Sequence, residues 1–288
     1  MEKLLLKLIA LSLILISMSV SAQDFQGQAY YQTQRKVDLK MDDSQMTDEQ
    51  QSQMQAMLKK QFEKTFILTF NKEASIYKEE EQLDQPTGAS KGGMNIMVLG
   101  GGANMKLYKN TRTKTYADEQ DVFGKSFLVK DNLETYDWVL GDESKVIGKY
   151  LCFKATATRE VESMSMSFGN VTHDEEESEE PKTITETQIV TAWYTPDIPV
   201  GDGPNTYWGL PGLILELHDG DDMSYLCTKI VMNSKDKTEI TEPTKGKVVT
   251  NKEYEKIMQK KMAEMQEMYG GRERKGEGGK SFNIQIGG

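Results

Sequence analysis

The sequence predicts a β-dominated α+β protein, in which one curved, half-barrel-like antiparallel sheet carries about two helices packed on it. Three observations support this prediction. About ten segments alternate apolar and polar residues, as half-buried strands do. Turn residues recur roughly every 8–15 positions, and such short connections favour antiparallel pairing over parallel crossovers. Two stretches, 47–64 and 250–269, change to the period of an amphipathic helix.

The first segment of the chain has the three parts of a secretory signal peptide. Lys3 and Lys7 precede an apolar run over 8–16, and small residues follow at 20–22. The apolar run is shorter than the roughly 20 residues that span a bilayer. We therefore expect 1–22 to be a signal peptide that is cleaved after Ala22. The mature protein is expected in the periplasm or at the outer membrane, with no transmembrane segment.

Residues 23–269 are predicted to form a single β-rich domain. An acidic insertion at 161–182 is expected to project into solvent, because the acidic run at 174–177 repels itself and is well hydrated. Residues 270–288 are rich in Gly and are expected to form a flexible tail. The formal net charge of −10 at pH 7 argues against a nucleic-acid partner, since phosphate binding requires clustered Lys and Arg.

Both predicted helices begin with a capping-box pattern, in which Gln or Glu follows Thr by three residues. Thr47 is followed by Gln50 in the first helix, and Thr250 is followed by Glu253 in the second. Each pattern predicts that the two side chains bond the backbone N–H groups at the start of the helix.

The two cysteines, Cys152 and Cys227, both lie in strand-like segments. In an exported protein an even pair of cysteines is typical of a disulfide, and the two segments could be neighbouring strands. We therefore expect a bond between them. The alternative is a pair of buried free thiols that behave as small apolar side chains.

The most distinctive segment is an extended arm over 196–212. Its first three prolines, Pro196, Pro199 and Pro204, disfavour helical geometry at the residues before them. Near the end of the arm, the pair Pro211-Gly212 predicts a type II turn from Leu210 to Leu213, with a positive φ at Gly212. The turn is expected to start a strand with one apolar face, formed by Leu213, Leu215 and Leu217.

Residues 209–214 read Gly-Leu-Pro-Gly-Leu-Ile, and they resemble the signature of the GLPGLI family of exported proteins from Bacteroidetes-type bacteria. The surrounding sequence is also similar to that family, in Ile-Gly-Lys-Tyr-Leu-Cys at 147–152 and Ala-Trp-Tyr-Thr-Pro-Asp-Ile-Pro at 192–199. The resemblance implies export and a β-rich body. It implies no activity, because the family is uncharacterised.

The residue patterns that support an enzyme are weak in this chain. His173 lies beside the acidic insertion, and His218 lies near Glu216, Asp219 and Asp221 with no spacing typical of a metal site. No serine stands in a nucleophile-elbow motif. We therefore expect a protein that is not an enzyme and that needs no cofactor.

The remaining hypothesis is a binding or accessory protein of the bacterial envelope, whose curved sheet holds an apolar ligand or a partner segment. The sequence does not identify the partner, and a lipid and an outer-membrane protein both fit. The expected contacts at the mouth of the sheet are Trp193, Tyr207, Trp208 and Leu210. The alternative for these four residues is that they close an ordinary core.

Two other functions remain open. The 17 methionines offer soft thioether ligands, so a periplasmic Cu(I)-handling protein is one alternative, with Met164 and Met166 as candidate ligands. The other alternative is a structural partner of an outer-membrane complex.

Overall fold

The computed structural model describes residues 25–35, 39–40, 63–80, 106–122, 124–168, 183–221, 223–234, 238–270 and 282–286. The strands are β1 (Gln26–Arg35), β2 (Leu39–Lys40), β3 (Lys64–Asn71), β4 (Ala74–Glu79), β5 (Lys106–Asn110), β6 (Thr115–Val122), β7 (Lys125–Asn132), β8 (Val139–Ile147), β9 (Tyr150–Phe168), β10 (Thr183–Thr195), β11 (Leu213–Asp219), β12 (Met223–Met232), β13 (Lys247–Val249) and β14 (Phe282–Ile286). A helix, α1 (Asn251–Gly270), follows β13.

All of these strands belong to one sheet, in the order β13-β7-β6-β5-β4-β3-β1-β12-β11-β10-β9-β14-β2. Strand β8 pairs with residues 150–156 of β9, whereas β14 pairs with residues 164–168 of the same strand. Neighbouring strands are antiparallel, except that the short β13 runs parallel to β7. The sheet is open, because β13 and β2 stand at its two ends.

The α+β prediction, with about two helices packed on the sheet, is wrong, whereas its β-dominated part is confirmed. Among the described residues α1 is the one helix, and it packs on the sheet mainly through Tyr254 and Ile257. The first predicted helix, 47–64, lies outside the described residues apart from its last two positions, and Lys64 already begins β3. The strands therefore supply almost all of the core, and no helical layer covers the sheet in the described part.

The connection between β7 and β8 shows how strongly the sheet is bent. Its seven residue steps, from Asn132 to Val139, span at most about 24 Å. Ten neighbour steps separate the two strands in the sheet, which is about 48 Å across a flat sheet. The sheet must therefore curve back on itself, so that its two halves face each other across a common inner face.

The core lies on this inner face, where cross-strand neighbours from both halves are buried. In one half Ala29, Leu68, Tyr77 and Leu107 follow one another across β1, β3, β4 and β5. In the other half Leu217, Ala192 and Ala155 follow one another across β11, β10 and β9. The buried side chains Ile198, Val200 and Leu210 of the arm join the same core.

Two of the predicted boundaries differ from the structure. The first part of the predicted acidic insertion, up to Phe168, continues β9, and only 169–182 lies outside the described residues. The predicted flexible tail contains β14, whose backbone pairs with β9. The predicted signal peptide, 1–22, also lies outside the described residues.

The capping box at the start of α1 is confirmed. The backbone N–H of Thr250 donates to Glu253 Oε2 at 2.9 Å, and the N–H of Glu253 donates to Thr250 Oγ1 at 3.3 Å. Within the part of the chain that the structure describes, no helix is both long enough and apolar enough to cross a membrane.

Candidate functional site

The arm is held on the inner face by its own backbone hydrogen bonds. Gly209 N–H donates to the carbonyl oxygen of Gly201 at 3.0 Å, so the arm folds back along itself. Leu213 N–H donates to Ile198 O at 3.0 Å, and Ile214 N–H donates to Asp202 O at 3.0 Å. These bonds join the start of β11 to the arm, which makes the arm part of the interior of the protein.

The predicted type II turn at 210–213 is wrong. The positive φ falls at Gly209, at 96°, and not at Gly212. Leu213 N–H bonds Ile198 across the arm, whereas a type II turn typically bonds it to Leu210. Gly212 is needed for a steric reason, since a Cβ there would lie 2.1 Å from the carbonyl oxygen of Thr195.

A buried ion pair ties the arm to the opposite half of the sheet. Lys109 Nζ on β5 lies 2.5 Å from Asp202 Oδ1, and the two side chains are 0% and 4% exposed. Lys109 also donates to the carbonyl oxygen of Gly203 at 2.7 Å. Burial lowers the pKa of Lys109, and the charge of Asp202 opposes this shift. The charge of Asp202 therefore offsets part of the cost of burying the Lys109 ammonium group.

A second polar cluster holds the other end of the arm. Arg159 on β9 donates from Nη2 and Nε to the two carboxylate oxygens of Asp219, at 2.6 and 3.1 Å. The hydroxyl of Tyr207 donates to Asp219 Oδ2 at 2.6 Å. Burial and the neighbouring Asp219 raise the pKa of Tyr207 far above its ordinary range, so its proton stays in this bond. This geometry fixes the arm and presents no free acid or base.

Three of the four predicted contact residues are brought together, but in the core. Tyr207, Trp208 and Leu210 are buried, and Trp208 Nε1 donates to Glu134 O at 2.7 Å. Trp193 lies on the outer face of the sheet between Lys154 and Glu216, with Lys145 Nζ 4.2 Å from its ring centroid. The four residues therefore do not line one open mouth.

The described part of the structure shows no metal site at the candidate ligands. Met164 and Met166 occupy alternate positions on β9, and their side chains lie outside the described part. No group of three or more His, Cys, Asp or Glu side chains in the described residues is placed to hold a metal ion. His218 Nε2 lies 2.8 Å from Glu216 Oε1, and His173 lies outside the described ranges.

The predicted disulfide is absent, because Cys152 and Cys227 are buried free thiols in the structure. They lie on β9 and β12, and β10 and β11 stand between these strands in the sheet. The two segments are therefore not neighbouring strands, as the sequence interpretation assumed. Burial raises the pKa of Cys152 to about 11 and that of Cys227 to about 12. The alternative, two apolar thiols, describes them better.

We expect both thiols of the native protein to resist iodoacetamide at about pH 8, because the reactive thiolate is scarce at a raised pKa. Both should react once urea unfolds the chain, and intact-protein mass spectrometry counts the labels. An unreduced protein that takes up no label even in urea, and that is two hydrogens lighter than the reduced form, would show a disulfide instead.

Strand β8 forms an exposed edge that was not predicted from the sequence. Val139, Leu140 and Val146 are 67%, 56% and 68% exposed, which is unusual for aliphatic residues in a strand. Among the described residues β8 pairs only with β9, and its register shifts between Leu140 and Ser144. The signal was present in the sequence, because apolar pairs at 139–140 and 146–147 flank the polar residues 142–145.

In comparisons with known proteins, one family model matches the segment that contains β8 and the arm. A family described as "Protein of unknown function (Porph_ging)" matches residues 138–216, which contain β8, β9, β10, the arm and the first half of β11. The match is consistent with an uncharacterised Bacteroidetes-type family, and it does not carry the GLPGLI name. No curated protein matches the chain.

Two solved structures are similar to part of the chain, "Structure of PNGF-II in C2 space group" and "Structure of PNGF-II in P21 space group". Both are 13% identical to it, with TM-scores of 0.46 and 0.45, and the aligned part covers 82% of this chain. The chain spans only 33% of each of those chains.

Proposed function

We propose that this chain is an exported, non-enzymatic accessory protein of the bacterial envelope that binds an extended apolar segment of a partner protein along β8. We also propose that the Porph_ging match and the GLPGLI resemblance describe the same family. The observation that carries the proposal is the exposed aliphatic edge of β8, with Val139, Leu140 and Val146.

The position of the arm favours a segment of a partner protein over a lipid as the ligand. An apolar ligand inside the curved sheet would occupy the inner face, where Tyr207, Trp208 and Leu210 already lie buried. The exposed aliphatic side chains Val139, Leu140 and Val146 are instead on β8, where the backbone N–H and C=O groups of an edge strand are free to pair. Extended peptides commonly bind by adding a strand to such an edge.

The charges of β8 indicate the chemistry of the partner. The irregular middle of the strand carries Asp142 and Glu143, and the Glu143 side chain is 65% exposed although it contacts Lys154. A partner segment with aliphatic residues at its two ends and a Lys or Arg between them would complement this pattern. The overall charge of −10 at pH 7 also favours a basic partner.

The test uses protein purified from the envelope fraction of a Bacteroidetes-type host, in which the first residue is expected to be Gln23. A chain that keeps 1–22 would contradict export. The probe is a synthetic peptide of nine residues, the length of β8, alternating Val and Thr around one central Lys. We expect measurable binding by calorimetry, and a loss of at least about tenfold when Leu140 and Val146 are both replaced by Lys.

Two controls separate strand addition from unspecific adhesion. Val248→Lys changes an equally exposed aliphatic residue on β13 and should leave binding unchanged. The same peptide with N-methylated backbone amides keeps its side chains but loses its donors, so it should not bind. Equal binding of both peptides, or no binding by the wild-type protein, would refute the proposal.

A further inference from the structure

We propose that α1 is a pH-responsive latch, which docks on the inner face of β6 and β7 in acid and loosens as the carboxyl group of Asp118 ionises beneath it. The inference is independent of partner binding at β8. It rests on the small contact between α1 and the sheet, and on a buried carboxylate oxygen beside that contact.

The contact between α1 and the sheet is narrow. Phe127 and Val129 on β7 and Val249 on β13 are buried there, and Tyr254 and Ile257 of α1 pack on them. The rings of Tyr254 and Phe127 meet edge to face, with centroids 5.7 Å apart. One turn of the helix therefore provides most of the apolar attachment. A small change in the free energy beneath it can shift the docking equilibrium.

Asp118 lies directly beside this contact. It stands opposite Val129 in the sheet, so its side chain shares the inner face with the residues under α1. Its Oδ2 accepts a hydrogen bond from Gln120 Nε2 at 2.6 Å, whereas its Oδ1 is buried with no hydrogen-bond partner. One hydrogen bond to Oδ2 compensates for only part of the water that a carboxylate loses in this position.

Among the described residues, the titratable groups around Asp118 provide no free positive charge that would stabilise its carboxylate. Tyr116 on β6 and Tyr254 and Glu255 on α1 are uncharged or acidic, and Asp131 on β7 is acidic. The nearest buried cation on β5, Lys109, stands opposite Tyr116 and is already paired with Asp202. Burial raises the pKa of Asp118 from 3.8 to about 6.

The direction of the effect follows from this raised pKa. The docked state binds the proton more tightly than the open state does, so docking is strongest in acid and weakens as the pH rises through the interval between 3.8 and about 6. Each unit of difference between the two pKa values is worth a factor of ten. Opening of α1 should therefore become about tenfold more frequent between about pH 5 and about pH 7.5.

The experiment is hydrogen exchange of the α1 amides in the full chain, measured by mass spectrometry at both pH values and corrected for the intrinsic exchange rate. We expect the corrected protection of 254–261 to fall about tenfold at the higher pH. Asp118→Asn keeps the shape of the side chain without its charge, and it should remove the pH dependence. Asp142→Asn, on the distant β8 edge, should leave it unchanged.

Two results would overturn the latch. One is protection of α1 in the wild type that does not change with pH, and the other is a pH dependence that persists in Asp118→Asn. If that variant does not fold, the carbon-13 chemical shift of the Asp118 carboxyl group in the wild type decides the matter. A titration midpoint near 6 supports the latch, and a midpoint near 4 refutes it.

Discussion

Replacing Gly212 with Ala is expected to destabilise the protein by at least about 3 kcal/mol, because the arm can no longer close against β10. The new Cβ would lie 2.1 Å from the carbonyl oxygen of Thr195 and 2.6 Å from its carbon. Both contacts are to backbone, so no flexible side chain can move aside. The strand β10 or the arm must shift, and the bond from Leu213 N–H to Ile198 O would be strained with it.

The measurement is urea unfolding followed by tryptophan fluorescence, since Trp208 is buried in the arm. Gly141→Ala is the matched control, because its Cβ would meet Lys154 O at 3.4 Å, an ordinary contact. The control should lie within about 1 kcal/mol of the wild type. Similar unfolding midpoints for Gly212→Ala and the wild type would show that the arm does not pack on Thr195 as described.

Replacing Lys109 with Met is expected to lower the free energy of unfolding by about 3–5 kcal/mol, because it leaves the carboxylate of Asp202 buried without a cation. Asp202 keeps its bond from the Gly203 N–H at 2.7 Å, which offsets only part of the cost. The double variant Lys109→Met with Asp202→Asn removes the buried charge while keeping that acceptor. It should therefore recover much of the lost stability.

The control is Arg112→Ala, which breaks the exposed ion pair with Glu73, whose side chains are 72% and 56% exposed. Exposed pairs contribute about 0–1 kcal/mol, so this variant should unfold almost as the wild type does. Equal losses for Lys109→Met and Arg112→Ala would mean that the buried pair does not hold the arm.

Much of the strand structure was predictable because alternation along a strand is a local property. Phe66, Leu68 and Phe70 stand two positions apart in the sequence, as residues on one face of a strand do, and all three face the core in β3. The helix start at Thr250 followed from the capping box, which depends only on residues three apart.

Predictions of burial were less accurate where burial depends on residues distant in the sequence. On β11, Leu213, Leu215 and Leu217 are buried as expected, but Ile214 is buried too. The pairing of β10 with β11 shifts its register at this point, and Ile214 packs against Gly203 of the arm. Alternation along one strand cannot reveal an irregularity that its neighbour imposes.

The distinctive stretch at 209–214 shows the same division. Its residues alone indicated an extended arm and a following strand, because proline and glycine restrict or widen the local backbone choices. Only the tertiary structure placed the positive φ at Gly209, the close approach of Gly212 to Thr195 and the ion pair between Lys109 and Asp202. Local dihedral preferences are encoded in neighbouring residues. The contact between Gly212 and Thr195 joins residues 17 positions apart, and the ion pair joins residues 93 positions apart, so both exist only in the folded structure.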